Sequence, residues 1–225
     1  MNILIVHAHP EPLSFTTSLK TTAQQTFKKL GHQVEISDLY AMQFNPVASK
    51  KDFLELNQPD YFNYALEQRN ATKQQLLAPD IQAEIDKVKR ADLIILNFPL
   101  YWTSVPAILK GWIDRVFVSG LFYGGKRFYN HGGMAGKKAM LCLTLGGRTH
   151  MFGENSIHGP IEHYLSPIQR GTLSYTGFEV LSPFIAYHVP YISQEARETI
   201  LEDYVTYLIH LDQLEPLKFP KLEEF

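Results

Sequence analysis

Short apolar runs alternate with helical patterns along this chain. Three such runs, at residues 2–6, 93–97 and 138–144, have the length and composition of strands that are buried on both faces. Patterns typical of helices lie between the runs. Strands that alternate with helices pair in parallel through right-handed crossovers. The alternation therefore predicts an α/β protein with a central parallel sheet.

Two further strands and five helices complete the predicted fold. We expect strands at 34–37 and at 178–181, the latter continuing at 184–187, and helices at about 14–30, 80–90, 105–119, 160–175 and 194–211. Ser14 and Ser193 are predicted N-caps, and Gly31 is predicted to end the first helix. This pattern is typical of a flavodoxin-like three-layer sandwich, whose five-stranded parallel sheet has the order 2-1-3-4-5 and binds its ligand between strands 1 and 3.

Length and charge limit the number of domains and the classes of partner. The 225 residues suit one large domain, which we expect at 1–211, followed by a tail at 212–225. A formal charge of −2 gives no general attraction to nucleic acid or anionic lipid. No run approaches the roughly 18 apolar residues of a membrane span, and the N-terminus lacks the basic region of a signal peptide. These features predict a cytoplasmic protein without a nucleic-acid partner and without a membrane span.

The loops after strands 1, 3 and 4 carry residue types that suit a flat, phosphorylated ligand. Residues 9–17 join polar side chains to a helix start, whose free N–H groups favour a phosphate. Residues 99–103 contain a Tyr-Trp pair, and residues 144–147 contain paired glycines that leave backbone donors free. Taken alone, each loop has a simpler explanation: a capped turn for the first, an aromatic pair of the core or an interface for the second, and a plain strand-to-loop turn for the third. Together they match the phosphates, the flat face and the polar edge of a flavin.

Other nucleotide-binding and reactive motifs do not fit. The chain contains neither G-x-G-x-x-G nor G-x-x-x-x-G-K-[ST], which argues against a Rossmann domain and a nucleotide triphosphatase. Its single cysteine, Cys142, lies in an apolar run and is predicted to be a buried thiol rather than a nucleophile. His150 and His163 lie near His158 without the compact spacing of a zinc site, so no metal is expected.

The chain resembles the NAD(P)H:quinone oxidoreductase family of flavodoxin-like enzymes. The similar pieces are the loop from His9 to Phe15, Pro99-Leu100-Tyr101-Trp102 through Gly111-Trp112, Thr144 to Gly147, Ile157-His158-Gly159, Pro167-Ile168-Gln169 with Gly171, and Gly177-Phe178. The resemblance covers residues 3 to about 210. It implies FAD as cofactor, NAD(P)H as hydride donor and two-electron reduction of a quinone or related electrophile. It also implies a homodimer with the active site at the subunit interface.

Site residues follow from the same resemblance, position by position. The implied cofactor-binding residues are His9, Ser14, Phe15, Thr16 and Thr17 at the pyrophosphate, Pro99, Leu100, Tyr101, Trp102 and Thr103 along the isoalloxazine, Thr144, Gly146 and Gly147 at its polar edge, and Arg197 at the adenine half. Two residues carry implied catalytic roles. Tyr123 matches an aromatic residue that covers the substrate pocket, and His158 matches the active-site histidine.

Three positions depart from the family pattern. Phe152 stands six residues before His158, where the family has a tyrosine, so the phenol donor is absent. Gly125 replaces a second pocket tyrosine, and Thr103 stands where an aromatic residue is usual. The physiological acceptor is therefore left open, as is the reading of His158 as a helix cap. Two alternative functions also remain: a flavin-binding regulatory subunit of a transporter, and an FMN-type nitro- or azo-reductase.

Overall fold

The computed structural model of the chain describes residues 1–219 and 221–222. Within them, a parallel sheet contains six strands: β1 (Asn2–His7), β2 (Gln33–Asp38), β3 (Leu93–Pro99), β4 (Lys138–Thr144), β5 (Glu179–Val180) and β6 (Phe184–Ala186). The strand order is β2-β1-β3-β4-β5, and β6 also pairs with β4. The predicted order 2-1-3-4-5 is therefore confirmed. The prediction of a single fifth strand was wrong, because Ser182-Pro183 divides it into β5 and β6. Pro183 has no N–H to donate to a neighbouring strand.

Helices cover both faces of the sheet and make three layers. They are α1 (Phe15–Lys29), α2 (Tyr64–Gln74), α3 (Pro79–Arg90), α4 (Ala107–Val116), α5 (Ile161–Ile168) and α6 (Gln194–Ile209). Side chains of β1 alternate between the two faces: Ile3 and Ile5 pack with α1 and α6, while Leu4 and Val6 pack with α3, α4 and α5. The flavodoxin-like sandwich is confirmed.

Helix ends follow local chemistry. Ser14 accepts the N–H of Thr17 at 3.1 Å and Ser193 accepts the N–H of Ala196 at 3.3 Å, so both predicted N-caps are confirmed. The helix predicted at 160–175 is instead α5 followed by a π-helical turn at Gln169–Ser174. Pro167 removes one helical N–H donor just before the change. The helix predicted at 105–119 is the shorter α4.

Residues 41–78, which lead from β2 to α3, form an excursion from the sheet, and a buried arginine connects this 41–78 excursion to α4. Arg115 donates to Asp52 Oδ1 and to Asp80 Oδ2, both at 3.0 Å, and to the carbonyl of Asn45 at 2.8 Å. The excursion also contains a 3₁₀ turn at Lys50–Asp52 and helix α2. The excursion is thus held against the helix that follows the β3 loop.

The C-terminal segment packs along the sheet edge. Leu217 donates its N–H to the carbonyl of Val180 at 2.7 Å, and Leu217 and Phe219 pack on the core. Of the predicted tail at 212–225, residues 220 and 223–225 lie outside the described residues. In the part of the chain that the structure describes, no helix has the length and apolar character needed to cross a membrane.

Candidate functional site

A cavity of about 550 Å³ lies at the carboxyl edge of the sheet, where the loops after β1, β3 and β4 meet. The predicted cofactor-binding residues that line it are His9, Ser14, Phe15, Thr16, Pro99, Leu100, Tyr101, Thr144, Gly146 and Arg197. The sheet order accounts for this meeting, because β1, β3 and β4 are consecutive neighbours. A volume of this size is typical of a small-molecule or cofactor site.

The β1 loop and the start of α1 present hydrogen-bond donors to the cavity. Within the described residues, no acceptor takes the N–H groups of Phe15 and Thr16. His9 Nδ1 accepts the N–H of Glu11 at 3.0 Å, so a neutral His9 carries its proton on Nε2. Burial lowers the pKa of His9, against a smaller opposing effect of Glu11, which favours this neutral form. Free amides at a helix N-terminus and a ring N–H suit a phosphate.

A buried polar network supports this loop from beneath. His7 lies at the end of β1, with Nδ1 2.6 Å from Asn97 Oδ1 and Nε2 3.2 Å from the hydroxyl of Thr17. Thr17 in turn lies 3.0 Å from Ser14 Oγ and donates to the carbonyl of Glu11. Burial lowers the pKa of His7, and the bond to Asn97 opposes that effect. Thr17 thus does not line the cavity itself but holds Ser14, which does.

The β3 loop ends in a tight two-residue turn. Tyr101 and Ser104 exchange both backbone hydrogen bonds at 3.0 Å, and the turn residues Trp102 and Thr103 have φ of 46° and 60°. Such a turn has the type I′ geometry, which residues other than glycine, asparagine and aspartate adopt at a cost. It directs Trp102 outward, with 98% of its surface exposed. Trp102 and Thr103 therefore lie at the rim of the cavity rather than in its lining.

The β4 loop presents unpaired backbone donors. Within the described residues, the N–H groups of Gly146 and Gly147 find no acceptor. Gly146 lines the cavity, whereas Gly147 is not among the lining residues. A side chain at Gly147 would be too close to Phe152, because a Cβ there would lie 2.8 Å from the ring. The hydroxyls of Thr16 and Thr144 lie 2.8 Å apart and join α1 to the end of β4. This loop can donate to a polar ligand edge without rearranging.

Helix α6 and the segment that leads into it line the far end of the cavity. Arg197 lies there and donates to the carbonyl of Val189 at 3.2 Å. Sequence reasoning missed several lining residues, namely Leu13, Ser18, Leu145, Val189, Pro190, Gln194 and Leu201. Gln194 and Leu201 could have been found, because they stand three residues before and four after Arg197 on one helix face.

The two predicted catalytic side chains do not line this cavity. Tyr123 packs against Tyr175, with ring centroids 6.0 Å apart, in the segment after α4. His158 is exposed, and its ring lies 5.1 Å from that of Phe152. Its backbone, rather than its ring, makes the local hydrogen bonds, to Met151 and to the hydroxyl of Tyr164.

Metal ligands and reactive thiols are not gathered at the cavity. Among the residues that the structure describes, no three His, Cys, Asp or Glu side chains are grouped so that they could hold a metal ion. Cys142 is fully buried, and burial raises the pKa of its thiol to about 12. The predicted buried thiol is thus confirmed.

Comparison with known proteins gives the fold family and the relatives of this chain. A family model described as a flavodoxin-like fold matches residues 1–208. The human ribosyldihydronicotinamide dehydrogenase [quinone] is 46% identical over 87% of this chain and 85% of its own length. The rat NAD(P)H dehydrogenase [quinone] 1 is 42% identical over 96% of this chain and 79% of its own length.

A solved structure agrees with these relatives. A Klebsiella pneumoniae protein, provisionally assigned as a quinone reductase, superposes with a TM-score of 0.95 at 37% identity, covering 98% of this chain and 88% of that one. Neither a transporter subunit nor an azo-reductase is favoured by relatives of this identity and coverage. The chain belongs to the NAD(P)H:quinone oxidoreductase family of flavodoxin-like proteins.

Proposed function

We propose that this protein is an FAD-dependent NAD(P)H dehydrogenase that reduces quinones or related electrophiles by two electrons. The observation that carries the proposal is the cavity at the sheet edge, where ten residues implied by the family motifs lie together. Relatives named as quinone dehydrogenases, 42% to 46% identical to this chain, support the reaction class. The proposed catalytic domain spans 1–211, with 212–225 as a tail.

The donor set of the cavity fits a flavin with a pyrophosphate. The free N–H groups of Phe15 and Thr16, the hydroxyl of Ser14 and Nε2–H of His9 suit the phosphate oxygens. Leu100 and Tyr101, which line the cavity, offer apolar surface to a ring system. The N–H groups of the β4 loop suit its polar edge.

The extent of the cavity favours FAD over FMN. The lining continues past the α1 N-terminus to Gln194, Arg197 and Leu201 on α6. FMN ends at its single phosphate and has no group for that region, whereas the adenosine half of FAD has. Arg197 offers a planar cation that can stack on or hydrogen-bond to adenine.

Bound FAD would supply hydride acceptance from NAD(P)H and two-electron delivery to a quinone. The chain's own contribution is orientation and electrostatics. Fixed donors at Gly146 and Gly147 stabilise negative charge that develops at the polar edge, without reorganising. A ring system held against Leu100 and Tyr101 would keep its other face for the nicotinamide and the acceptor in turn.

A homodimer would complete the site. Large apolar side chains stand exposed around the cavity, including Leu13 at 91% and Trp102 at 98%. A contiguous exposed apolar patch marks an interaction surface, and we propose that these side chains form one. In a dimer, Tyr123 of one subunit would cover the cavity of the other, since it does not reach its own. Light scattering tests this arrangement, and a monomer at micromolar concentration would contradict it.

His158 is proposed to donate a proton or stabilise charge on the bound substrate. Its ring is exposed and contacts Phe152, which in turn lies against the β4 loop at Gly147. Stopped-flow reduction of His158→Gln by NAD(P)H tests the role. A slower flavin reduction is expected, and an unchanged rate would leave His158 with a structural role only.

A cofactor-exchange experiment tests the assignment of FAD. Apoprotein is titrated with FAD and with FMN, for the wild type and for Arg197→Ala. We expect the wild type to prefer FAD and Arg197→Ala to lose FAD affinity while its FMN affinity stays unchanged. Equal affinity of the wild type for both flavins would contradict the assignment.

The hydride donor and the location complete the proposal. Relatives carry names of both NAD(P)H and ribosyldihydronicotinamide dehydrogenases, so NADH, NADPH and ribosyl-dihydronicotinamide should be compared as reductants. We propose a cytoplasmic location. It is supported by the single buried cysteine, which needs no oxidising compartment. Cell fractionation tests it, and recovery in a membrane or extracellular fraction would contradict it.

A further inference from the structure

His188 contacts the β4 loop through both its backbone and its side chain. Its N–H donates to the carbonyl of Gly147 at 2.9 Å, and its Nδ1 lies 2.9 Å from the carbonyl of Gly146. The Nε of Arg148 donates to its Nε2 at 3.3 Å. Tyr191 packs on the ring, with centroids 5.0 Å apart. The family motifs carry no role for this histidine.

These partners determine the tautomer of His188. A carbonyl oxygen only accepts, so the proton must be on Nδ1, facing Gly146. The guanidinium of Arg148 only donates, so Nε2 must be the acceptor. Both ring nitrogens are therefore satisfied by the neutral ring, and its orientation is determined from two sides.

The bonds to the two carbonyls also determine where the opposite N–H groups point. In a trans peptide the C=O and the following N–H point in opposite directions. The Gly146 carbonyl faces His188, so the N–H of Gly147 points away from it; likewise the Leu145 carbonyl accepts from Val189 at 3.2 Å, which turns the N–H of Gly146 away.

The side toward which these N–H groups point is the β3 side. His188 follows β6, which pairs with β4 on the flank opposite to β3. On the β3 flank, Leu100 donates to the carbonyl of Thr144 at 2.8 Å, which places the aromatic loop there. The unpaired N–H of Gly146, which lines the cavity, and that of Gly147 therefore point toward the β3 flank, where the cavity lies.

We propose that His188 is a positioning residue that aims the Gly146 and Gly147 N–H groups at the polar edge of the flavin, so that they bind the reduced, negatively charged form more tightly than the oxidised form. This inference rests on the proposed function. The backbone of His188 has φ of 57°, a left-handed conformation that histidine adopts at a cost in free energy. The hydrogen bonds of the ring offset that cost and give the side chain its role.

Three variants separate the side-chain role from the backbone conformation. His188→Ala removes the Nδ1 donor and keeps the backbone cost, whereas His188→Gly removes the donor and relieves the cost. His188→Asn keeps an N–H donor and tolerates the left-handed region. His210→Ala is the matched control, because the Nδ1 of His210 also lies 2.9 Å from a backbone carbonyl, at the end of α6.

The readout is the two-electron reduction potential of the bound flavin, together with the flavin affinity of the apoprotein. We expect His188→Ala and His188→Gly to weaken binding of reduced flavin about tenfold more than that of oxidised flavin, which lowers the potential by about 30 mV. His188→Asn should recover most of that difference, and His210→Ala should match the wild type.

Two results would overturn the role of His188. One is a potential in His188→Ala equal to that of the wild type; the other is a wild-type potential in His188→Gly alone, which would leave only a backbone effect. Both presuppose that the wild type binds flavin. A wild type that binds no flavin would instead refute the proposed function, and the inference with it.

Discussion

Gly111 allows α4 to contact the 41–78 excursion backbone to backbone, and its replacement by alanine should be severe. A Cβ at this position would lie 2.2 Å from the carbonyl oxygen and 2.4 Å from the Cα of Pro46. Neither atom belongs to a flexible side chain, so α4 and the excursion would have to separate by about 1 Å to restore an ordinary contact.

That separation would also strain the bonds of Arg115. Arg115 stands one turn after Gly111 and donates to Asn45, the neighbour of Pro46, and to Asp52. Overpacking alone costs about 1–3 kcal/mol, and a broken buried ion pair costs about 3–5 kcal/mol. We therefore expect Gly111→Ala to lower the free energy of unfolding by about 3 kcal/mol or more.

Urea denaturation followed by circular dichroism measures this loss. Gly171→Ala is the matched control, because its Cβ would meet no atom within 4 Å and its φ is not left-handed. The control should change stability by less than about 1 kcal/mol. A loss below about 1 kcal/mol in Gly111→Ala would refute the close approach of α4 and Pro46.

Three further predictions concern the core, pH and the β3 turn. The Cys142 thiol, with its pKa raised to about 12 by burial, should react with a disulfide reagent only after unfolding; rapid reaction of the native protein would contradict its burial. Burial lowers the pKa of His7, so the unfolded state binds its proton first. Stability should therefore fall as the pH drops below about 6.5, and His7→Gln should flatten that fall in urea titrations; equal slopes would contradict it. Thr103→Gly should stabilise the protein by about 1 kcal/mol by relieving a left-handed β-branched residue, and a loss of stability would contradict the turn geometry.

Local patterns carried most of the fold. The apolar runs placed β1, β3 and β4, and the polar residues Ser14 and Ser193 placed the starts of α1 and α6, because strand burial and helix capping are decided within a few residues. The convergence of three loops followed from parallel topology alone. What these loops bind was then indicated by residue types that recur in one family.

Contacts between residues distant in sequence determine the features that could not be predicted from the sequence. Nothing near Gly146 indicates that the ring of His188, 42 residues later, contacts its carbonyl. Gln68 of α2 donates to the carbonyl of Asp114 and accepts the N–H of Ser119, and local periodicity does not reveal such distant contacts. The turn that directs Trp102 outward has a left-handed backbone, which tryptophan disfavours, so residue preferences do not predict it.

The central claim is that the cavity at the sheet edge holds FAD that NAD(P)H reduces and a quinone reoxidises. The most direct measurement is the visible absorption spectrum of the purified, FAD-loaded protein during anaerobic addition of NAD(P)H and then benzoquinone. We predict a flavin band that bleaches with the reductant and returns with one equivalent of quinone. A protein that takes up no FAD, or whose flavin band persists after NAD(P)H is added, would contradict the account.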